Sequence, residues 1–221
     1  MKEPKLPVDR RDFLQFAAMA AAAGVGAALP ATTAAAKDNP STDFVRWLDS
    51  IPGKQRIVLD VREPNDGMGL AWTWVYLFTG PQAYGVKEND LGTVMVLRHN
   101  AIAFALADSA WKTYKLGDYF KINDPQTGVG AVRNPYYTTT VDPEVPDMTL
   151  KDHIDRGVKV AACDMAIHYY SGQIAKQMGL KHEDVKNDWI AAVLPGIQRV
   201  PSGVVAVQGA VARGCSYIFA G

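Results

Sequence analysis

Apolar residues in this chain fall into short β-branched runs separated by longer stretches with helical spacing. Residues 57–61 (IVLDV) predict a first strand, and Asn65-Asp66-Gly67 is placed to cap a helix carrying MGLAWTWVYLF. Residues 93–97 (TVMVL) predict a second strand, followed by the apolar AIAFALADSAW. A third spans residues 158–162, and its following helix stacks Ile167, Tyr170, Ile174 and Met178 at helical spacing. A fourth short strand lies at residues 197–200. Ser202 then caps a helix with Val204, Val207 and Val211 on one face, and Gly214 suits its C-terminal stop. Residues 216–219 close the pattern with a fifth strand. Continuous apolar strands alternating with helices predict a three-layer α/β/α domain on a five-stranded, mainly parallel sheet.

Two segments break this rhythm. Residues 123–147 (NDPQTGVGAVRNPYYTTTVDPEVPD) carry four of the chain's 13 prolines and no periodicity. Loops of that length are lids, binding loops or subunit contacts, or else disordered excursions; Val132, Tyr136 and Tyr137 favour a loop that packs on something. At the N-terminus, Arg10-Arg11 with Phe13-Leu14 precede an alanine-rich apolar stretch at residues 16–29, then Pro30 and Ala34-Ala35-Ala36. A basic pair, a short apolar region and small residues describe a removable export signal, and the paired arginines point to the twin-arginine route. Asp9 stands where that motif usually has Ser or Thr. The apolar stretch is shorter than the ~20 residues a membrane span requires. The expected organisation is therefore a cleaved signal at 1–36, a lead-in at 37–55 and the α/β domain at 56–221, with a periplasmic product that has no membrane partner.

Composition narrows the functional classes. Lys and Arg number 23 and Asp and Glu number 23, so a neutral chain offers no electrostatic footprint for nucleic acid or anionic lipid. Two cysteines are too few for a disulfide framework. Cys163 ends its strand and Cys215 begins another, so parallel strands place them at opposite edges, beyond the ~7 Å a disulfide spans. No H-x-x-H or C-x-x-C spacing occurs, so neither a metal site nor a bound cofactor is expected.

The candidate chemistry follows from the sheet. Ligands of open parallel sheets bind at the carboxyl ends of the strands. Those ends carry Arg62 and Asn65 after strand one, Arg98 and His99 after strand two, Cys163 after strand three, and Ser202 after strand four. Cys163 and His99 are the candidate catalytic pair, and Arg62, Asn65, Arg98 and Ser202 the candidate ligand-binding residues. A thiol at a helix N-terminus meets unpaired N–H groups and the positive end of the dipole, which favour the thiolate, while Asp164 opposes it. Cys163 also fits the other common role of a free cysteine, a small buried apolar residue. His99 fits a general base, a metal ligand or a structural hydrogen-bond donor. His153 and His182 lie in polar segments without ligand spacing, and His168 sits one residue off the buried stripe.

The stretch GVKVAACDMAI, followed later by LPGIQRVPSGVVAVQGAVARGCSYIFAG, resembles the DsrE/DsrF-like family. The resemblance rests on Cys163 at the strand end and Pro195-Gly196-Ile197 with Val200-Pro201-Ser202-Gly203. It also includes Gln208 in the last helix before Tyr217. It implies a five-stranded parallel sheet, a homo-oligomer (trimer or hexamer), and, as in sulfur-handling members, a cysteine that carries persulfide sulfur. Those members are cytoplasmic, whereas this chain carries the pattern of an export signal, so their partners and substrates do not transfer to it; a small sulfur species is the expected partner of Cys163.

Overall fold

The three central strands of the sheet are buried because another layer covers both of their faces, whereas the edge strands at 197–200 and 216–219 stay largely open to solvent. The computed structural model of the protein describes residues 40–221, which form one compact unit. The export motif with Arg10 and Arg11, and the cleavage position at Ala36, lie outside the described residues.

In chain order the elements are α1 (Pro40–Asp49), β1 (Gln55–Val61), α2 (Met68–Tyr84), β2 (Leu91–Leu97), α3 (Asp108–Tyr114) and α4 (Leu116–Phe120). Then come α5 (Leu150–Asp155), β3 (Lys159–Cys163), α6 (Asp164–Met178), α7 (His182–Ala191), β4 (Ile197–Val200), α8 (Gly203–Val211) and β5 (Ser216–Phe219). The sheet order is β4-β3-β2-β1-β5 and every pairing is parallel. The central strand β2 is buried at all seven positions. Leu59, Met95 and Val160 face Leu70 and Leu77 of α2 and Ile167 and Ile174 of α6. On the other face, Val58, Val94 and Ala161 meet Phe44 and Leu48 of α1 and Ala206 and Ala210 of α8. The architecture is three-layer α/β/α, as the hydrophobic pattern predicts.

Several local expectations change. Asn65-Asp66-Gly67 forms a single 3-10 turn, and α2 starts from Gly67 in a left-handed conformation without a side-chain cap. Met178 is exposed because the last turn of α6 runs past the core to the left-handed Gly179. Val204 and Val211 of α8 point outward, and the core side is instead Gly203, Ala206, Gly209 and Ala210. Small residues are required there: a Cβ on Gly209 would stand 2.6 Å from Leu48 Cδ1, and one on Gly203 2.6 Å from Arg98 Cβ. His153 is fully buried in α5 rather than in polar surroundings, its Nε2 2.9 Å from the Leu70 carbonyl. The lead-in contains α1, whose Phe44 and Leu48 complete the second core.

The proline-rich segment packs. Residues 123–147 contain no helix or strand, yet the Asn134 side-chain amide donates to the carbonyls of Phe104 (2.8 Å) and Leu106 (2.9 Å). Tyr136 is buried with its ring centroid 5.0 Å from that of Phe104. Among the described residues no helix is long and apolar enough to cross a membrane.

Candidate functional site

The parallel sheet brings all six predicted residues to one edge, and the side chains there divide into two groups. The first surrounds Cys163. β3 runs one residue further than its apolar run, so Cys163 is both the last strand residue and the N-cap of α6. Its Sγ accepts a hydrogen bond from the Ala166 N–H at 3.3 Å. That donor is one of the amides the helix start leaves without an intrahelical partner. Leu97 pairs with Ala162, so Arg98 follows one step on beside Cys163, within electrostatic range of the sulfur.

Asp164, the expected opponent of a thiolate, is neutralised in place. Arg199 grips its carboxylate with two hydrogen bonds of 2.8 and 2.9 Å. Both partners are partly exposed, so Arg199→Ala is expected to cost under about 1 kcal/mol of stability. The same change frees the Asp164 charge beside Cys163, so the rate of thiol alkylation should fall; an unchanged rate would mean Arg199 has no influence on the sulfur.

The candidate ligand-binding residues Arg98 and Ser202 are already engaged. Arg98 donates through Nε (2.6 Å) and Nη2 (2.8 Å) to the two carboxylate oxygens of buried Asp60, which also accepts from the Tyr217 hydroxyl at 2.9 Å. Ser202 caps α8 as predicted, its Oγ accepting from the Val205 N–H at 3.2 Å.

The second group surrounds His99. The ring Nδ1 lies 3.0 Å from Glu63 Oε1, and the ring stands edge-on to Tyr170 with centroids 5.8 Å apart. Glu63 Oε2 accepts from the Asn100 amide at 2.6 Å, and Arg62 Nε lies 3.5 Å from Oε1. Burial holds the His99 imidazole below its ordinary pKa; Arg62 and Arg98 act the same way, and Glu63 acts against them. Burial also pushes the Tyr170 phenol up, with Glu63 adding to it. Phe120 and Tyr119 pack edge-on against Tyr170 at 5.1 and 6.2 Å.

Beside this group an open cleft of about 220 Å³ is lined by Glu63, Asn65, Asp66, Phe120, Lys121 and Tyr136. Asn65, Asp66, His99 and Lys121 all hold positive φ without being glycine. Such backbones cost of order 1–3 kcal/mol each and gather at functional sites. Of the predicted residues only Asn65 lines this cleft. Glu63, Asp60 and Tyr170 were not singled out by sequence. Glu63 was visible as a carboxylate in the loop after β1, but Asp60 and Tyr170 read as ordinary members of apolar elements.

Cys163 and Cys215 are both free and buried. They belong to cores on opposite faces of the sheet. Burial pushes the Cys215 thiol up. Among the described residues no group of three or more His, Cys, Asp and Glu side chains is placed to hold a metal ion. No protein-family model matches this chain, and no curated protein sequence matches it.

Proposed function

We propose that this protein is an exported, periplasmic sulfur handler of the DsrE/DsrF-like kind, in which Cys163 receives and carries sulfane sulfur. The observation that carries the reading is the seat of the thiol: an N-cap cysteine whose Sγ accepts the Ala166 N–H, with Arg98 beside it and Asp164 held by Arg199. The thiolate attacks a terminal sulfur of a polysulfide. A new S–S bond forms on Cys163, the old S–S bond breaks, and the shortened polysulfide leaves with the electron pair. His99, neutral and set against Glu63, orients the sulfur species from the neighbouring strand end, with Arg62 as the exposed cation for an anionic substrate.

Polysulfide treatment should add one sulfur, about 32 Da, to the chain. Cys163→Ser should abolish the gain, Cys215→Ser should retain it, and His99→Ala should slow it. Intact-mass measurement reads all four proteins. A gain that survives Cys163→Ser, or no gain in the native state, means that Cys163 is a packing residue.

The cleft beside His99 favours a second reading, a non-catalytic module that binds a small ligand between Glu63 and Tyr136. Under that reading Cys163→Ser leaves the protein's ligand affinity unchanged. Under both readings the protein works as a homo-oligomer, a trimer or a hexamer.

A further inference from the structure

α2 runs for 17 residues, MGLAWTWVYLFTGPQAY, without a charged side chain. Its inner stripe, Leu70, Thr73, Leu77 and Gly80, is buried on the sheet. Its outer stripe is also apolar: Trp72 is 40% exposed, Val75 49% and Phe78 60%. A helix apolar all round belongs inside a larger core. Nothing else in the described chain covers this one.

The outer stripe is symmetric about Val75. Trp72 and Phe78 lie three residues to either side, and the small Ala71 and Thr79 lie four residues to either side. Residues three and four apart share a helix face. An antiparallel copy related by a two-fold axis through Val75 therefore sets Trp72 against the partner's Phe78, and each bulky ring over a small residue of the other helix. Isologous contacts demand this self-complementarity, and a stripe lacking charge meets its own copy without burying an unpaired ion. The platform is also rigid, since Trp74 stacks on Phe78 with centroids 4.8 Å apart and its Nε1 donates to Asp147 Oδ1 at 3.1 Å.

The area is of the right order. At 150–250 Å² per aromatic side chain, the exposed parts of Trp72 and Phe78 leave roughly 200 Å² of aromatic surface in water per copy. That is the apolar centre of a standard interface of about 800 Å² per partner. The helix is about 25 Å long, which lets the loop around Asp147 supply a polar rim.

We propose that the outer face of α2 is the docking surface for a second copy of this chain, with the two-fold axis at Val75. This rests on the homo-oligomer reading above and sharpens it. A hexamer with two-fold axes accommodates the contact, whereas a trimer alone has none.

Site-directed crosslinking of the intact chain tests the surface, with sedimentation as the separate test of assembly. The two-fold sets position 75 against itself, so Val75→Cys should oxidise to a covalent dimer. Trp72→Cys and Phe78→Cys should crosslink when mixed and hardly at all alone. Phe78→Glu should shift the sedimenting species to a smaller one at micromolar concentration. If the native chain sediments as a monomer, the homo-oligomer reading and this surface fall together. If it assembles but Val75→Cys does not crosslink, assembly stands and the α2 face is overturned. Crosslinking through Val204→Cys on α8 would then name the face that replaces it. Binding of Val75-bearing chain to neutral phospholipid vesicles, lost in Phe78→Glu and without assembly in solution, would overturn the proposal in favour of a lipid surface.

Discussion

Arg98→Ala is expected to cost the fold about 3–5 kcal/mol, because it leaves the Asp60 carboxylate buried without its cation. The Asp60 side chain is 3% exposed and receives three hydrogen bonds, two from Arg98 and one from Tyr217. Deleting the arginine removes two of them and all of the compensating charge, while the surrounding sheet holds the carboxylate in place. Lysine does not rescue, since an ammonium cannot supply the parallel pair of donors. Asp60→Asn should cost less, because the Arg98 guanidinium it leaves behind is partly open to water. Urea titration is the measurement: a lower midpoint with unchanged slope for Arg98→Ala is expected. A loss below about 1 kcal/mol would place Arg98 among surface pairs and free it for ligand binding.

The second large effect depends on pH. Burial lowers the His153 pKa from 6.5 to about 4, with its hydrogen bond to Leu70 acting in the opposite direction. Its Nδ1 has no partner, which matches a neutral ring donating through Nε2 to the Leu70 carbonyl. The folded pKa lies below the unfolded one, so this contribution is complete above pH 6.5 and is lost as pH falls toward 4. Two and a half units at 1.36 kcal/mol each amount to roughly 3 kcal/mol. His99, also lowered, acts in the same direction but is partly exposed. The paired carboxylates lose their contribution later: Glu88, held below 4.5 by Arg156, releases its share only as pH falls further. Denaturation midpoints measured from pH 7 to 4 should therefore fall steeply before the carboxylates titrate. His153→Gln, which keeps an amide donor for Leu70, should flatten that fall. An equally steep decline in the variant would assign it to other groups.

The centre of the sheet was legible because β1, β2 and β3 are dominated by apolar runs. A strand such as β2, buried at every position, has no polar face to confuse its assignment. Cys163 and Ser202 were legible as helix starts for the same local reason, a small polar side chain just before a helical period. What was hidden depends on choices between equivalent stripes or on distant partners. In α8 the valines and the Gly/Ala positions both recur at helical spacing, and only the close approach of Leu48 and Arg98 decides which stripe faces in. Arg98 resembled a free ligand-binding cation because its partner, Asp60, lies 38 positions away inside a strand. His153 looked polar because the carbonyl that accommodates it belongs to Leu70, 83 positions earlier. The His99 group was only half visible: the strand-end rule located it, but Tyr170 read as an ordinary core member of its helix, and Phe120 arrives from a short helix that the pattern does not predict.

The placement of β5 governs the order in which the molecule can be built. β1, the first strand, takes β5, the last, as its outer neighbour, with Ile57 aligned to Ser216 and Asp60 to Phe219. Until β5 emerges during synthesis, β1 carries an unpaired edge and Asp60 lacks Tyr217. Closing so long a loop comes after the local α2 and α6 packing has formed, since distant strand pairing is slow. A nascent chain from which β5 has not yet emerged is thus an open-edged intermediate, ready to pair with another such chain. Docking of β5 is the step that seals the sheet.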